Sequence, residues 1–138
     1  MSGPEFLPPR VFTVEEASAL LPQLRQILAS LRGARARLLA SEREMTERYH
    51  GGRGNGHPAP GSELDRLQGV ITESQNELDE ALRAIAELGC ELKDPDRGMV
   101  DFRTIRGGRM VYLCWLMHEP GIQFWHELEG GFAGRQPL

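Results

Sequence analysis

The chain has 138 residues, of which 40% are hydrophobic and 26% charged, as is usual for an ordinary globular domain. Sixteen basic and twenty acidic residues give a net charge of −4, which disfavours uniform electrostatic binding to nucleic acid or to an anionic membrane. Two cysteines, Cys90 and Cys114, are too few for a disulfide framework and lack the C-x-x-C spacing of a zinc ribbon. The pattern contains no signal peptide and no membrane span, so we expect a cytoplasmic protein.

Residues 1–12 are expected to form an N-terminal extension, after which a long helix begins. Thr13 and Glu16 have the spacing of a capping box, which marks a helix start. Apolar residues then recur at intervals of three and four as far as Met45. Pro22 removes a backbone donor near the start, so we expect either a kink or a short helix that runs into a longer one.

The glycine- and proline-rich segment 50–61 predicts a mobile loop. A second helix follows, with an apolar stripe from Leu64 to Leu88 and with Gly89 just after its C-terminus. Residues 13–89 therefore predict a long antiparallel helical hairpin with a coiled-coil-like stripe. Two helices cannot enclose a thick core, so we expect the rest of the stripe to pack on the C-terminal part, on a second copy of the chain, or on both.

From residue 90 onward the pattern changes from helical to alternating. Turn signals rich in glycine and proline separate four strand candidates, at residues 90–93, 99–102, 110–117 and 122–128. The predicted fold class is α+β, a long antiparallel helical hairpin followed by a small antiparallel β-meander of three or four strands. We expect residues 90–138 to be a β-rich part packed on the helices, so that the chain forms a single domain.

Several short motifs carry a resemblance to a known family. They are FTVEEA at 12–17 followed by LLP at 20–22, and, more specifically, GMVDF at 98–102, VYLCW at 111–115 and WHE at 125–127. In these motifs the chain resembles a small bacterial family known as domain of unknown function 2203. The resemblance covers nearly the whole chain from Phe12, and it implies a helical pair followed by a compact β-rich end. It implies no activity.

Side chains of the types that bind Zn²⁺ or Fe²⁺ gather in the C-terminal third of the chain. The candidate metal ligands are His126, Asp101, Cys114 and Glu119. Because strand residues alternate between faces, His126 should share a face with Phe124 rather than with Glu127, and no H-E-x-x-H spacing is present. The structural alternative is a His126 hydrogen-bonded within a half-buried sheet and a Cys114 packed as a small apolar residue.

Arg135, in the glycine-containing tail, is interpreted as a structural anchor or an anion-binding residue. A bidentate pair with Asp101 is the favoured structural role for both side chains. The first helix also carries four arginines, Arg25, Arg32, Arg35 and Arg37. Pairing with the acidic residues of the second helix is favoured over a nucleic-acid surface.

Taken together, the residues favour a non-enzymatic interaction or assembly module that self-associates through its helices into a homo-dimer or higher oligomer. A further protein partner stays open, and no catalytic residue is assigned. The alternative is a small metal-binding protein or metal-dependent enzyme that holds a divalent transition metal in the C-terminal β region. A second alternative, nucleic-acid binding through the arginines of the first helix, ranks last because the chain is acidic.

Overall fold

The computed structural model describes residues 10–49 and 61–138. Over these residues the chain forms three α-helices: α1 (Val14–Ala19), α2 (Leu21–Tyr49) and α3 (Gly61–Leu88). Five strands follow: β1 (Glu91–Asp94), β2 (Met99–Arg106), β3 (Arg109–Leu116), β4 (Phe124–His126) and β5 (Gln136–Pro137), with a 3-10 turn at Phe132–Gly134. The predicted α+β class, with a helical pair before an antiparallel meander, is confirmed.

The start of the helical region follows its local sequence. The Thr13 hydroxyl accepts a hydrogen bond from the Glu16 amide at 3.0 Å, and the Glu16 carboxylate accepts one from the Thr13 amide at 2.9 Å. This reciprocal pair is the predicted capping box. Pro22 is the second residue of α2 and has no backbone N–H, so it cannot continue the series of helical hydrogen bonds that begins in α1. The prediction of a short helix running into a longer one is therefore confirmed.

The described residues form two compact units. One contains residues 10–26 and 84–138, and the other contains residues 27–49 and 61–83. The predicted mobile loop at 50–61 lies outside the described residues except for Gly61, which begins α3. The single-domain organisation and its internal boundaries stay predictions. Among the described helices, none is both long and apolar enough to cross a bilayer.

In the second unit α2 and α3 pack together in opposite directions. Arg37 pairs with Glu77, and Arg48 pairs with Glu63 nearer the other end, as the antiparallel arrangement requires. The apolar stripe lies at this contact, and the buried residues there are Leu28, Leu31, Ala34, Leu67 and Ala81. The predicted hairpin-like pairing of the two helices is thus observed, with charged side chains bridging across it.

In the first unit the strands follow one another in the order β1-β2-β3-β4-β5, each antiparallel to its neighbour. The fifth strand, Gln136–Pro137, comes from the tail, for which the sequence predicted an irregular path. Two residues are too few to show an alternating pattern, so no periodicity could have revealed this strand.

The two faces of the sheet bury different kinds of side chain, because neighbours along a strand point to opposite sides. One face buries Val100, Phe102, Leu113, Trp115 and Trp125. Phe12, ahead of α1, packs on this face with its ring edge-on to Phe102, at 5.3 Å between centroids. The opposite face also buries polar side chains, which form the site described next.

Candidate metal centre

The register of the sheet brings three of the four candidate ligands together. Asp101 on β2 lies directly opposite Cys114 on β3, and His126 on β4 lies opposite Tyr112, two residues before Cys114. Cross-strand partners share a face, so the three side chains converge. One potential ligand atom from each lies within 4.8 Å of the other two. The relative exposures of Asp101, Cys114 and His126 are 1%, 0% and 1%.

His126 is held through both of its ring nitrogens. Nδ1 lies 2.6 Å from the backbone carbonyl oxygen of Glu127, and Nε2 lies 2.9 Å from Oδ2 of Asp101. Because a carbonyl oxygen only accepts hydrogen bonds, Nδ1 carries a proton and donates it. Nε2 is therefore directed at Asp101, and one proton lies between that nitrogen and the carboxyl.

The contact with His126 provides a hydrogen-bond partner for only one of the two carboxyl oxygens of Asp101. Its second carboxyl oxygen, Oδ1, is buried and has no hydrogen-bond partner among the described residues. Burial raises the pKa of Asp101, and the neighbouring His126 and the Cys114 thiol oppose that rise. A buried carboxyl oxygen without a partner is costly, and such groups call for a physical explanation.

Cys114 is a protonated thiol in this setting. Burial raises its pKa to about 12, with a further contribution from the Asp101 carboxyl, while Arg135 acts in the opposite direction. The His126 ring nitrogens are both engaged with other groups, so His126 is not directed at the thiol as a base. A Cys114–His126 nucleophile and base pair therefore has no geometric support.

Tyr112 and its neighbours lie beside the cluster on the same face. The Tyr112 ring packs against the His126 ring at 5.4 Å between centroids. Its hydroxyl donates to the Glu91 carboxylate, 3.0 Å from each oxygen, and Arg103 Nε donates to Glu91 at 2.9 Å. The Lys93 ammonium lies 4.5 Å from the Tyr112 ring centroid. Strand alternation places Tyr112, two residues before Cys114, on the same face, but its contacts with Glu91 and Lys93 were not predicted from the sequence.

The fourth candidate, Glu119, is not part of the cluster. Its Oε1 accepts from Arg135 Nη2 at 2.6 Å and from the Leu116 amide at 2.8 Å. The favoured Arg135–Asp101 pair is therefore replaced by an Arg135–Glu119 pair. Glu119 is the third residue after β3, and its carboxylate accepts the amide of Leu116, the last residue of that strand. Asp101 lies instead within the sheet, on the strand between β1 and β3.

The four arginines assigned to the predicted first helix lie on α2, and two of them, Arg25 and Arg37, make contacts within the protein that can be described in detail. Arg25 Nη2 donates to the Glu119 carbonyl at 3.2 Å, and its guanidinium lies over the Trp115 ring. Arg37 pairs with Glu77 between the two long helices. The predicted pairing with an acidic residue of the second long helix is thus observed at Arg37.

The fold and this face define a class: an α+β protein in which a helical pair precedes an antiparallel meander with a buried Asp–Cys–His cluster. The chain belongs to the family described as Uncharacterized conserved protein (DUF2203), whose model matches residues 10–138. The resemblance seen in the sequence motifs is thereby confirmed. No curated protein and no solved structure matches the chain significantly. The family description names no activity.

Proposed function

We propose that the protein is a small metal-binding protein that holds one divalent transition metal, in the first instance Zn²⁺, at Asp101, Cys114 and His126. The observation that carries the proposal is the partnerless Oδ1 of Asp101, buried within a cluster that also offers a thiol and an imidazole. Sulfur, nitrogen and oxygen donors together are the ligand types of zinc sites. Hard cations such as Mg²⁺ would instead require a shell made of oxygen atoms.

The charges of the cluster suit a divalent cation. Ionised Asp101 and Cys114 would supply two negative charges, which would neutralise the metal in a buried site where an uncompensated ion is very costly. The metal would also displace the proton between Asp101 and His126 and the proton of the thiol, because metal ligands bind in their deprotonated forms. The high pKa of the free thiol is therefore no obstacle, although it makes binding dependent on pH.

The surroundings of His126 also fit a ligand. Its Nδ1–H donates to the Glu127 carbonyl, which fixes the ring and leaves Nε2 for the metal. In a tetrahedral zinc site the ligand atoms lie about 3.2–3.6 Å apart, given metal–ligand distances of about 2.0–2.3 Å. The Nε2–Oδ2 separation of 2.9 Å is slightly shorter than this and the widest separation in the cluster is up to 4.8 Å, so metal binding would require shifts of these side chains.

The test starts from protein stripped of metal with a chelator, followed by titration with Zn²⁺ and with Co²⁺. We expect one metal ion per chain, a cobalt–thiolate charge-transfer band in the near ultraviolet, and a free energy of unfolding raised by about 2.7 kcal/mol at a hundredfold excess over the dissociation constant. The Asp101→Asn variant should bind much more weakly, whereas His118→Ala, at an exposed position, should bind as the unmodified protein does. Absence of stoichiometric binding would reject the proposal and leave the cluster as a hydrogen-bonded part of the core.

A second candidate function, assembly with a second copy, is supported by a different observation. The two helices of the second unit leave apolar side chains partly uncovered, with Leu39 54% and Leu82 45% exposed. Helix α2 carries six arginines and three glutamates, while α3 carries seven acidic residues and two arginines. A twofold arrangement that places α2 of each chain against α3 of the other would therefore cover apolar surface and match opposite charges.

Size-exclusion chromatography with light scattering tests this assembly. We expect a dimer that becomes monomeric when Leu39 and Leu82 are both changed to glutamate. A monodisperse monomer at high concentration would contradict the proposed association.

We also propose cytoplasmic residence, which is supported by the two free, buried cysteines, Cys90 and Cys114.

A further inference from the structure

Arg135 makes several contacts beside the cluster, although its Nε is buried and has no hydrogen-bond partner among the described residues. Its Nη2 donates to the backbone carbonyl of Cys114 at 3.2 Å and pairs with the Glu119 carboxylate at 2.6 Å. The side chains of Arg135 and Glu119 are only 11% and 10% exposed. A guanidinium so deeply placed is held by its partners and is not a solvated surface charge.

Glu119 connects the same pair to the end of β3. Its carboxylate accepts the Leu116 amide at 2.8 Å, and its backbone carbonyl accepts Trp115 Nε1 at 3.1 Å. Three consecutive residues, Cys114, Trp115 and Leu116, are therefore each tied to Arg135 or Glu119. These contacts fix the position of the β3 backbone at Cys114, and with it the position from which the Cys114 side chain extends.

An aromatic contact completes the arrangement. The Arg135 guanidinium carbon lies 4.1 Å from the centroid of the Phe124 ring, and Phe124 is the residue on β4 directly opposite Cys114. Arg135 thus contacts Cys114 on β3 and its cross-strand neighbour on β4. Cation–π stacking in a sheltered setting adds to the ion pair in holding the guanidinium there.

We infer that Arg135 is a positioning residue for the metal site: together with Glu119 it fixes the β3 backbone at Cys114, so that Sγ faces Asp101 and His126. The inference rests on the proposed metal-binding function. It assigns Arg135, which the sequence left open between an anchor and an anion site, to the support of a ligand. Outer groups that orient metal ligands typically change metal affinity by about 10–100-fold when they are removed.

The experiment compares Arg135→Gln with Arg97→Gln by Co²⁺ titration at one fixed pH. Arg97 is a matched control because its guanidinium also stacks on an aromatic ring of this region, Phe132 at 4.6 Å, and pairs with Asp94 at the surface. We expect Arg135→Gln to weaken cobalt binding by about 10–100-fold and to weaken the thiolate charge-transfer band at saturation. Arg97→Gln should leave both unchanged.

Equal affinity and an equal band in Arg135→Gln and the unmodified protein would overturn the inference while leaving the metal site in place. If the unmodified protein binds no cobalt, the proposed function fails, and the inference fails with it. Should Arg135→Gln not fold, Glu119→Gln replaces it, since the amide oxygen can still accept the Leu116 amide while the charge that holds Arg135 is removed. We expect weaker binding and a weaker band in that variant, and unchanged values would again overturn the inference.

Discussion

The buried pair of His126 and Asp101 provides the sharpest test of how this face of the sheet is stabilised. In metal-free protein, replacing His126 with alanine removes two hydrogen bonds and leaves the Asp101 carboxyl with neither oxygen partnered. Both side chains are 1% exposed, so water cannot take over the lost contacts without opening the sheet. We expect the variant to be strongly destabilised and not merely altered in metal binding.

The magnitude follows from the contacts that disappear. A hydrogen bond contributes about 1 kcal/mol net, and about 1.5–3 kcal/mol when one partner is charged. Removing one member of a buried pair costs about 3–5 kcal/mol, because the other member is left in place. We therefore expect His126→Ala to lower the free energy of unfolding by about 3–5 kcal/mol. This loss is a large share of the total free energy of unfolding, which is about 5–15 kcal/mol for a typical domain.

The assay is urea unfolding in the presence of chelator, followed by tryptophan fluorescence. Trp115 and Trp125 are both buried in the sheet and report directly on this unit. The control is His118→Ala, an exposed position where a change within about 0.5 kcal/mol is expected. A loss below about 1 kcal/mol for His126→Ala would refute the reasoning, because it would mean that the two hydrogen bonds and the buried carboxyl contribute almost nothing.

Three further predictions follow from single residues. Because burial raises the pKa of Asp101, the contribution of this carboxyl to stability is largest below its unfolded pKa and is lost as pH rises through the folded value. In urea unfolding, Asp101→Asn should therefore gain stability relative to the unmodified protein from pH 4 to pH 7, and a relative loss would contradict this sign. Gly98→Ala should destabilise the protein more than Gly107→Ala in thermal unfolding, because both glycines have positive φ (68° and 59°) but only at Gly98 would the new Cβ lie 2.5 Å from the Met117 side chain. Equal losses of stability in the two variants would refute the steric argument. Thr13→Ala should cost about 1 kcal/mol by removing the N-cap of α1, and chemical unfolding with no loss would show that the cap is dispensable.

The helical part was predictable because its signals lie within a few residues. The capping box at Thr13, the proline at the start of α2 and the three-and-four spacing of apolar residues each act on the nearest turns of the chain. The alternating pattern likewise identified β2, β3 and β4. The two-residue strand β5 left no such pattern, since it is formed by pairing with β4 and not by local preference.

The candidate site was predictable in composition and only partly in arrangement. Asp101, Cys114 and His126 were named from residue type and strand alternation, and the sheet brings them together. Glu119 was grouped with them but pairs with Arg135 instead, because a turn after β3 directs its carboxylate to the Leu116 amide. Tyr112 and Glu91 were missed because their contact spans β2 and therefore depends on three strands in register.

The amino-acid sequence alone thus determines the helices, the alternating strands and the types of side chain present at the C-terminal end. These features depend on contacts between residues a few positions apart, so any chain with this pattern would form the same elements. Which side chains meet is a property of the folded sheet: Asp101 reaches His126 across a sequence separation of 25 residues and two strand pairings. A slip of one residue in either pairing would turn the slipped strand's side chain to the other face, so the site exists only in the register that the whole folded unit selects.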